Sequence, residues 1–489
     1  MSRLDRSTLA RLPAAIGRPA FDPATLGCGI VHLGCGAFHR AHQAIYTQDV
    51  LGTTPEPWGI VGVSLKNPAV RDRLAAQDFL YAVIERVADG PRFKIVGTIR
   101  DVLFAPADRA RVIARVANPA TRILSLTVTE KGYCHDPATG QLDILHPDIA
   151  HDIRTPGEPV SALGFIVAGL ERRMHDGAGP LTVLCCDNLP RNGKTVGGLT
   201  RTLARIRSDN LVRWVGENVT FPSTMVDRIV PATTPADIAE VAAALGVEDA
   251  APVVAEPFRQ WVIENRFIAD RPPWEAAGAE LVADVAPYEE IKLRLLNGSH
   301  SALAYLGFLA GYTYIYEVMR QPAFRKFMLR LMDEEVTTTL HVPAGVDLAA
   351  YKRTLLERFA NPALAHRTWQ IAMDGSQKLP QRLLGSVSVR LGAGQPVRLL
   401  ALAVAAWMRY VTGVDERGAP IEVKDPLAAR LGAIARDNAG NPHALARAYL
   451  AVGEVFGDDL PRRPEFVDAV AGALAQLYAK GAAATVASC

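Results

Sequence analysis

The chain has 489 residues, 49% hydrophobic and 21% charged, which is typical of a globular protein of two or three domains. Its 53 Lys+Arg and 51 Asp+Glu leave a net charge of +2, so we expect neither a nucleic-acid nor a membrane partner. Six cysteines without a repeated spacing predict reduced thiols and a cytoplasmic location. No signal peptide and no apolar run of membrane-spanning length is recognisable.

The first half of the chain alternates between strand-like and helix-like patterns. Residues 1–27 read as a polar arm. Strands are then predicted at 29–33, 58–65, 80–85, 93–99, 122–129 and 181–186, with helices at 41–51, 69–77 and 162–175. This alternation predicts an α/β fold with a parallel sheet.

Beyond about residue 285 the strand-like runs nearly vanish. Helical apolar spacing recurs at 289–306, 321–335, 348–359, 398–411, 426–438, 442–456 and 465–480. We therefore predict an N-terminal α/β domain over residues 1–285 and a mainly helical domain, for substrate and catalysis, over 286–489. The alanine-rich end, residues 471–487, is predicted to be a helix that frays.

A glycine-rich turn, Gly34-x-Gly36, follows the first predicted strand. Glycines there allow a tight turn and let the backbone approach the pyrophosphate of a dinucleotide. The full fingerprint has a third Gly or Ala near position 39, where this chain has His39. A tight turn without a ligand is the alternative, but the early position and the α/β alternation favour a Rossmann-like dinucleotide-binding domain.

The end of the second strand gives no decision between NAD and NADP. The acidic residue that normally binds the adenosine ribose is missing, and the chain reads Ser-Leu-Lys-Asn-Pro over residues 64–68. Asn67 could bind the ribose hydroxyls. Lys66 could accommodate a 2′-phosphate, or be an ordinary solvated lysine. We expect NAD, with NADP not excluded.

Four polar residues share one side of a predicted helix: Glu289, Lys292, Asn297 and His300. At about 100° per residue they span a face of about 140°. A solvated helix face is one interpretation. The other is catalytic, because a desolvated lysine can take a proton from an alcohol, an amide can stabilise the alkoxide, a histidine can orient the substrate and a glutamate can pass the proton onward.

Further polar residues follow the strand at 181–186. In open α/β sheets the ligand lies beyond the carboxyl ends of the strands, so Asn188 could be a second amide donor. A simple Asx turn is equally consistent with the pattern. Tyr288 and Lys292 have the spacing of short-chain dehydrogenases, but no serine stands about a dozen residues before them. His39 and His42 lack a further Cys/His cluster for zinc, so we expect no metal.

Five segments together resemble the polyol-specific long-chain dehydrogenases, the mannitol dehydrogenase family: residues 30–44, 186–193, 224–229, 256–264 and 287–300. The resemblance implies a metal-free oxidoreductase. It implies Lys292 as general base, Asn188 and Asn297 as holders of the reacting oxygen, His300 as substrate-orienting group, Glu289 on a proton path and Asp227 in the substrate region. It places Gly34, Gly36, Ala37, Phe38 and Arg40 at the cofactor, and Asn67 joins them from its position at the end of the second strand.

Residues 127–134 and 366–382 look like the fructuronate reductase (D-mannonate oxidoreductase) branch of that family, whereas residues 314–340 and 345–353 look more like the mannitol branch. The first likeness implies NAD-dependent interconversion of D-mannonate and D-fructuronate. The alternative is a mannitol or arabinitol 2-dehydrogenase, and a non-enzymatic dinucleotide sensor is a distant third. Lys378 and Arg382 are candidate partners of a substrate carboxylate, or surface cations paired with acids. We expect a monomer or small homo-oligomer.

Overall fold

The computed structural model describes residues 1–52, 58–87, 89–136 and 139–489. The chain divides into two compact units, Met1–Ala286 and Pro287–Cys489. The first combines sheets and helices and the second is helical, which confirms the predicted fold class. In the described ranges, no helix is both long and apolar enough to cross a bilayer.

The strands of the first unit fall into one large and two small sheets. In chain order they are β1 (Ile30–Leu33), β2 (Ile60–Ser64), β3 (Tyr81–Val87), β4 (Gly90–Val96), β5 (Ile99–Phe104), β6 (Ile123–Leu126), β7 (Leu181–Cys185), β8 (Val219–Thr220), β9 (Thr224–Asp227), β10 (Val253–Ala255), β11 (Gln260–Glu264) and β12 (Glu280–Val282). Their pairing decides where a ligand can approach the sheet.

The large sheet has the order β5-β2-β1-β6-β7-β8, and all its strands are parallel. Counted within this sheet, the order is 3-2-1-4-5-6, which is that of the dinucleotide-binding Rossmann fold. Strand order reverses between β1 and β6, so the crevice beyond their carboxyl ends is the expected ligand site. β1, β2, β6 and β7 are buried along their whole length because helices cover both faces.

Two small sheets were not foreseen. β3 and β4 form an antiparallel hairpin that β10 extends, and β9, β11 and β12 form another sheet. The predicted strand over 93–99 corresponds to the second half of β4, but its end was placed too late, because Gly97 and Thr98 separate β4 from β5. The strands from β8 onward were missed because they are only two to five residues long.

The helices of the first unit are Ala37–Ala41, Gln43–Leu51, Ala69–Ala75, Ala105–Ala117, Pro147–Arg154, Ala162–His175, Asn192–Arg207, Asp209–Asn218 and Pro235–Leu245. The first begins directly after the glycine turn, four residues earlier than predicted. It ends at His42, whose φ of −128° and ψ of −88° are not helical. The chain therefore bends one short helix after the glycine turn.

The N-terminal arm is a correction to the sequence reading. Leu4, Leu12 and Ile16 are buried in a small core that also contains residues of β3 and β4. The backbone of the arm is bonded as well, because Leu4 N–H donates to Glu248 O at 2.8 Å and Ile95 N–H donates to Gly17 O at 2.8 Å. The arm looked polar because its few apolar residues are widely spaced.

The second unit is built from helices and short helical turns. Its α-helices are Ala286–Ile291, Ser299–Leu309, Ile315–Met319, Pro322–Arg330, Leu348–Ala360, Thr368–Ala372, Gly375–Leu379, Gly385–Gly392, Arg398–Tyr410, Ala428–Asp437, Pro442–Leu450, Gly453–Phe456 and Pro464–Ala487. Wider π-helical segments are present at Lys292–Gly298, Leu331–Val336 and Pro380–Leu384. The last helix is interrupted at Gly481 (φ 76°, ψ 167°) rather than fraying.

Candidate functional site

The turn after β1 contains two glycines with different constraints. Gly34 has φ +92°, and a β-carbon on it would lie 2.0 Å from the carbonyl oxygen of Thr127. Gly34 is therefore required by the protein itself. A β-carbon on Gly36 would meet only Gly34 O, at 3.8 Å, and Gly36 is exposed. Because no protein atom crowds Gly36, the space beside it fits the close approach of a dinucleotide.

The missing third glycine has a structural explanation. The ring of His39 stacks on the ring of His32, with centroids 3.4 Å apart and planes inclined by 14°. Both residues are completely buried. The third glycine of the fingerprint normally permits close packing of the helix on the strand. Here two flat imidazoles achieve a close contact between β1 and the helix Ala37–Ala41.

Other residues predicted at the cofactor pack elsewhere in the first unit. The guanidinium of Arg40 is buried, donates to the carbonyl of Ala251 and lies 5.2 Å from the ring centroid of Tyr81. Phe38 stacks on His42 with centroids 5.0 Å apart. Arg40 thus anchors the first helix to the segment around Ala251. The predicted cofactor contacts of Ala37, Phe38 and Arg40 stay predictions.

The end of β2 lies where the sequence placed it. Lys66 and Asn67 are exposed and follow the last residue of the strand, Ser64, by two and three positions. The side-chain oxygen of Asn67 accepts a hydrogen bond of 2.8 Å from the Ala69 amide at the start of the next helix. In a Rossmann sheet this edge faces the adenosine ribose.

The loop after β7 is held by polar contacts on both sides of Asn188. Asp187 accepts hydrogen bonds from the amides of Val128 and Thr129 and from the Tyr133 hydroxyl, at 2.6–3.0 Å. Asn192 joins the loop to β9 through the backbone of Thr224. Asn188 itself is exposed. The loop is therefore rigid at its ends, and the amide of Asn188 is presented from a fixed backbone.

Asp227 is buried at the last position of β9. The next residue, Arg228, is also buried and donates to Ala41 O, Glu256 O and the Glu85 carboxylate. Burial is the main cause that lowers the pKa of Arg228, and Glu85 opposes it. These contacts tie the helix after the cofactor turn to the small sheets and fix the backbone beside Asp227.

In the second unit, the segment that carries Lys292 is π-helical and not α-helical. The stretch Lys292–Gly298 joins two α-helices without a break. In a π-helix the backbone hydrogen bonds join residues five apart, so Lys292 and Asn297 lie on successive turns, as residues four apart do in an α-helix. The predicted helix face of about 140° is therefore wrong in detail, because that angle was calculated for an α-helix. Lys292 is buried, while Glu289 and Asn297 are partly exposed.

His300 is surrounded by rings and by cations. Its ring stacks on Phe359 at 5.1 Å and meets the edge of His366 at 4.8 Å. Burial lowers the pKa of His300 well below its usual value, and His366, Arg382, Arg358 and Lys378 lower it further. Burial, followed by Lys378, lowers the pKa of His366 to about 4. Both imidazoles are neutral at pH 7.

The two predicted carboxylate partners have structural contacts as well. Lys378 donates to the carbonyl of Met373 just beyond the helix Thr368–Ala372. Arg382 donates to the Ser301 hydroxyl at 3.1 Å. Sequence reading missed Arg358 and His366, because a lone arginine on a helix and a lone histidine in a loop carry no spacing signal. The structure brings both to His300.

One group of metal-ligand residues also escaped the sequence reading. Ligand atoms of Cys134, His146 and Asp148 lie within 4.8 Å of one another. The Nδ1 atom of His146 accepts a hydrogen bond of 3.2 Å from the Asp148 amide, which leaves its Nε2 atom as the ring's possible ligand. Burial raises the pKa of the Cys134 thiol to about 11. The thiol is therefore protonated at pH 7 when no metal is bound.

Comparisons with known proteins agree with this architecture. The mannitol dehydrogenase Rossmann domain matches residues 28–276, and the mannitol dehydrogenase C-terminal domain matches residues 284–478. The chain belongs to the mannitol dehydrogenase family. The predicted resemblance is thereby confirmed, and with it the assignment of this family member as an oxidoreductase.

Similar proteins in the family act on different substrates. D-mannonate oxidoreductase of Escherichia coli strain K12 is 49% identical over 98% of this chain and 99% of its own length. Mannitol 2-dehydrogenase of Pyricularia oryzae is 41% identical over 98% of this chain and 96% of its own. The solved mannitol 2-dehydrogenase of Pseudomonas fluorescens, a ternary complex with NAD and D-mannitol, is 39% identical with a TM-score of 0.89, covering 99% of this chain and 98% of that chain.

Proposed function

We propose that this member of the mannitol dehydrogenase family is an NAD-dependent secondary alcohol dehydrogenase that interconverts D-mannonate and D-fructuronate without a metal ion. The observation that carries the substrate choice is the set of cations acting on His300: Arg358, Lys378 and Arg382. Three cations around a buried, neutral imidazole favour an anionic substrate over an uncharged one. The E. coli relative named D-mannonate oxidoreductase supports the same choice.

The cofactor proposal rests on the first unit. The open space beside Gly36 suits a dinucleotide, and the similar P. fluorescens enzyme was solved with NAD. When bound, NAD supplies the hydride acceptor for alcohol oxidation. Lys66 and Asn67 are exposed just beyond the end of β2, and a lysine there could pair with a 2′-phosphate, so NADP is the cofactor to compare with NAD.

The four polar residues Glu289, Lys292, Asn297 and His300 are proposed to take the proton and hold the substrate. In the oxidation, Lys292 as a neutral amine takes the proton of the substrate hydroxyl, while the carbon-bound hydrogen leaves with its electron pair. Asn297 and Asn188 donate hydrogen bonds to the oxygen on which negative charge develops. His300 orients the substrate, and Glu289 passes the proton onward. Asp227 is proposed to bind a substrate hydroxyl.

The carboxylate of the substrate is proposed to bind Arg382, with Lys378 beside it. Arginine binds carboxylates through two parallel hydrogen bonds, and a charge-assisted bond contributes about 1.5–3 kcal/mol. Lys378 already donates to a backbone carbonyl, so its contribution is partly structural. We also propose that the enzyme is cytoplasmic and works as a monomer or small homo-oligomer.

Oxidation of mannitol or arabinitol at C2 is the second candidate. The observation in its favour is the solved relative with D-mannitol, which covers almost the whole chain at a TM-score of 0.89. An uncharged polyol would gain no charge-assisted hydrogen bond from the cations around His300, whereas a substrate carboxylate would.

The test measures kcat/KM for D-mannonate and D-mannitol, each with NAD and with NADP, by absorbance at 340 nm. We expect D-mannonate to be preferred. Arg382→Met should lower kcat/KM for D-mannonate by about 10- to 100-fold, as expected for one lost charge-assisted bond, and leave any D-mannitol activity unchanged. Arg325→Met, at an exposed arginine of the same unit, is the control. A wild-type preference for D-mannitol would replace this proposal by the polyol alternative.

A further inference from the structure

Two stacked histidines lie directly beneath the proposed cofactor turn. His39 occupies the place of the third glycine, and its ring is parallel to that of His32 at 3.4 Å. His32 is on β1, two residues before Gly34. Because both rings are completely buried, any change in one ring must be taken up by the other or by the turn.

A chain of hydrogen bonds connects His32 to the turn. The hydroxyl of Thr127, just beyond β6, donates to Gly34 O at 2.8 Å, so its oxygen accepts from Nε2–H of His32 at 2.8 Å. The other ring nitrogen, Nδ1, is then the acceptor for the Ser125 hydroxyl at 2.7 Å. Gly34 O also accepts from the Gly36 amide at 2.6 Å. The Gly34 carbonyl thus accepts from the Thr127 hydroxyl and the Gly36 amide, and Nε2 of His32 also lies 3.3 Å from it. His32 therefore acts on this carbonyl both directly and through Thr127.

The pair is electrically neutral in the folded protein. Burial lowers the pKa of His39 to about 3 and that of His32 well below its usual value, and each ring therefore keeps one donor and one acceptor nitrogen at pH 7. A fixed tautomer of His32 keeps the Thr127 hydroxyl directed at Gly34. Stacking by His39 limits rotation of that ring.

We propose that His32 and His39 are positioning residues that hold the turn Gly34–Gly36 in the shape that receives the pyrophosphate of the dinucleotide. This inference rests on the proposed use of NAD. The stacked pair takes over the role that close packing at a third glycine has in the usual fingerprint. A role as simple packing filler would predict loss of stability without loss of cofactor affinity.

The first test removes one hydroxyl from each partner of His32. Both variants, Thr127→Val and Ser125→Ala, lose a hydrogen bond to the ring, but only Thr127 also holds Gly34 O. NADH affinity of the purified full-length protein is measured by fluorescence titration. Thr127→Val should raise Kd about tenfold, which corresponds to about 1.4 kcal/mol, and Ser125→Ala should raise it less. Equal values of Kd in wild type and Thr127→Val overturn the proposal.

The second test changes the stacked ring itself. His39→Gly restores the third fingerprint glycine but removes the stack, and it should weaken NADH binding. His39→Phe retains a flat ring on His32 and should bind NADH like the wild type. KM for D-mannonate at saturating NAD should stay unchanged in both. Wild-type affinity in His39→Gly would overturn the inference. A wild type that does not bind NADH would instead refute the proposed function.

Discussion

The α-carbon of Gly298 lies so close to the carbonyl oxygen of Arg382 that a β-carbon on Gly298 would come within 2.6 Å of it. Gly298 ends one π-helical segment, and Arg382 lies inside another. The contact fixes the helix that carries Lys292 and Asn297 against the segment proposed to bind the substrate carboxylate. The proposed base and the proposed carboxylate ligand therefore belong to one packed substructure of the second unit.

Removing the proposed base tests the catalytic assignment. Lys292→Ala should lower kcat by at least about 10²-fold, because general-base catalysis typically contributes that much. NADH affinity should be retained, since the proposed pyrophosphate contacts come from the turn Gly34–Gly36. Steady-state kinetics and fluorescence titration measure the two effects. Lys480→Ala, at an exposed lysine, is the matched control. A variant at Lys292 with nearly normal kcat would exclude it as the base.

The two glycines of the turn should respond differently to alanine. Gly34→Ala places a β-carbon against Thr127 O at a positive φ, so it should lower the melting temperature markedly or prevent folding. Gly36→Ala has room within the protein and should keep the wild-type melting temperature while NADH affinity falls. Thermal unfolding and NADH titration separate the two. If Gly36→Ala binds NADH normally, the cofactor does not approach the turn there.

Cofactor preference should depend on the end of β2. Lys66→Asp introduces a carboxylate that can bind the ribose hydroxyls and repels a 2′-phosphate. We expect the ratio of kcat/KM with NAD to kcat/KM with NADP to rise. Arg73→Asp, at an exposed cation on the helix that follows β2, is the control. An unchanged ratio in Lys66→Asp means that the ribose lies elsewhere.

The buried neutral histidines predict a loss of stability in acid. Burial lowers the pKa of His39 to about 3 and that of His366 to about 4, whereas an exposed histidine has a pKa of about 6.5. Below about pH 6.5 these histidines are protonated in the unfolded chain but stay neutral in the folded chain. The free energy of unfolding therefore falls as the pH decreases from about 6.5 toward the lowered pKa values. Each such histidine contributes up to about 1.4 kcal/mol per pH unit.

Urea unfolding at pH 7.5 and pH 5 measures this slope. His39→Phe should reduce the dependence of the unfolding free energy on pH by the contribution of one histidine. Comparison with the wild type cancels the contribution of buried acids such as Asp249, whose pKa is raised by burial. The same slope in both proteins would show that His39 is protonated in the folded state at pH 5.

Metal independence is tested against the group Cys134, His146 and Asp148. Prolonged dialysis against EDTA should leave kcat and the melting temperature unchanged, because the proposed proton transfer needs only Lys292. Cys134→Ser should behave in the same way. A loss that zinc restores in the wild type but not in Cys134→Ser would instead establish a metal site in this group.

The sequence was sufficient to predict those elements whose residue spacing and residue types both indicate the same structure. The glycine turn follows β1 as predicted, and the polar residues Lys292 and His300 lie near the start of the helical second unit. The helices from Arg398 onward were also predicted nearly in full, because their apolar positions repeat with an undisturbed helical period.

What the sequence could not give depends on partners that are distant along the chain. β3 and β4 look like any alternating strands, and only their mutual pairing and that of β10 decide that they leave the large sheet. The π geometry around Lys292 depends on which carbonyl accepts the hydrogen bond of each backbone amide, and the residue types do not determine that pairing. His366 was missed because its significance comes from its contact with His300.

The π-helical segment at Lys292–Gly298 has a consequence for insertions and deletions. A π segment accommodates one residue more than an α-helix that covers the same length. Deleting a single residue between Lys292 and Asn297 while restoring α-helical pairing would leave these residues four apart, so they would again lie on successive turns. The alignment of the proposed base and its amide partner therefore depends on the match between residue count and helix type. A homologue with a one-residue gap in this stretch could keep the same alignment if its helix there is α.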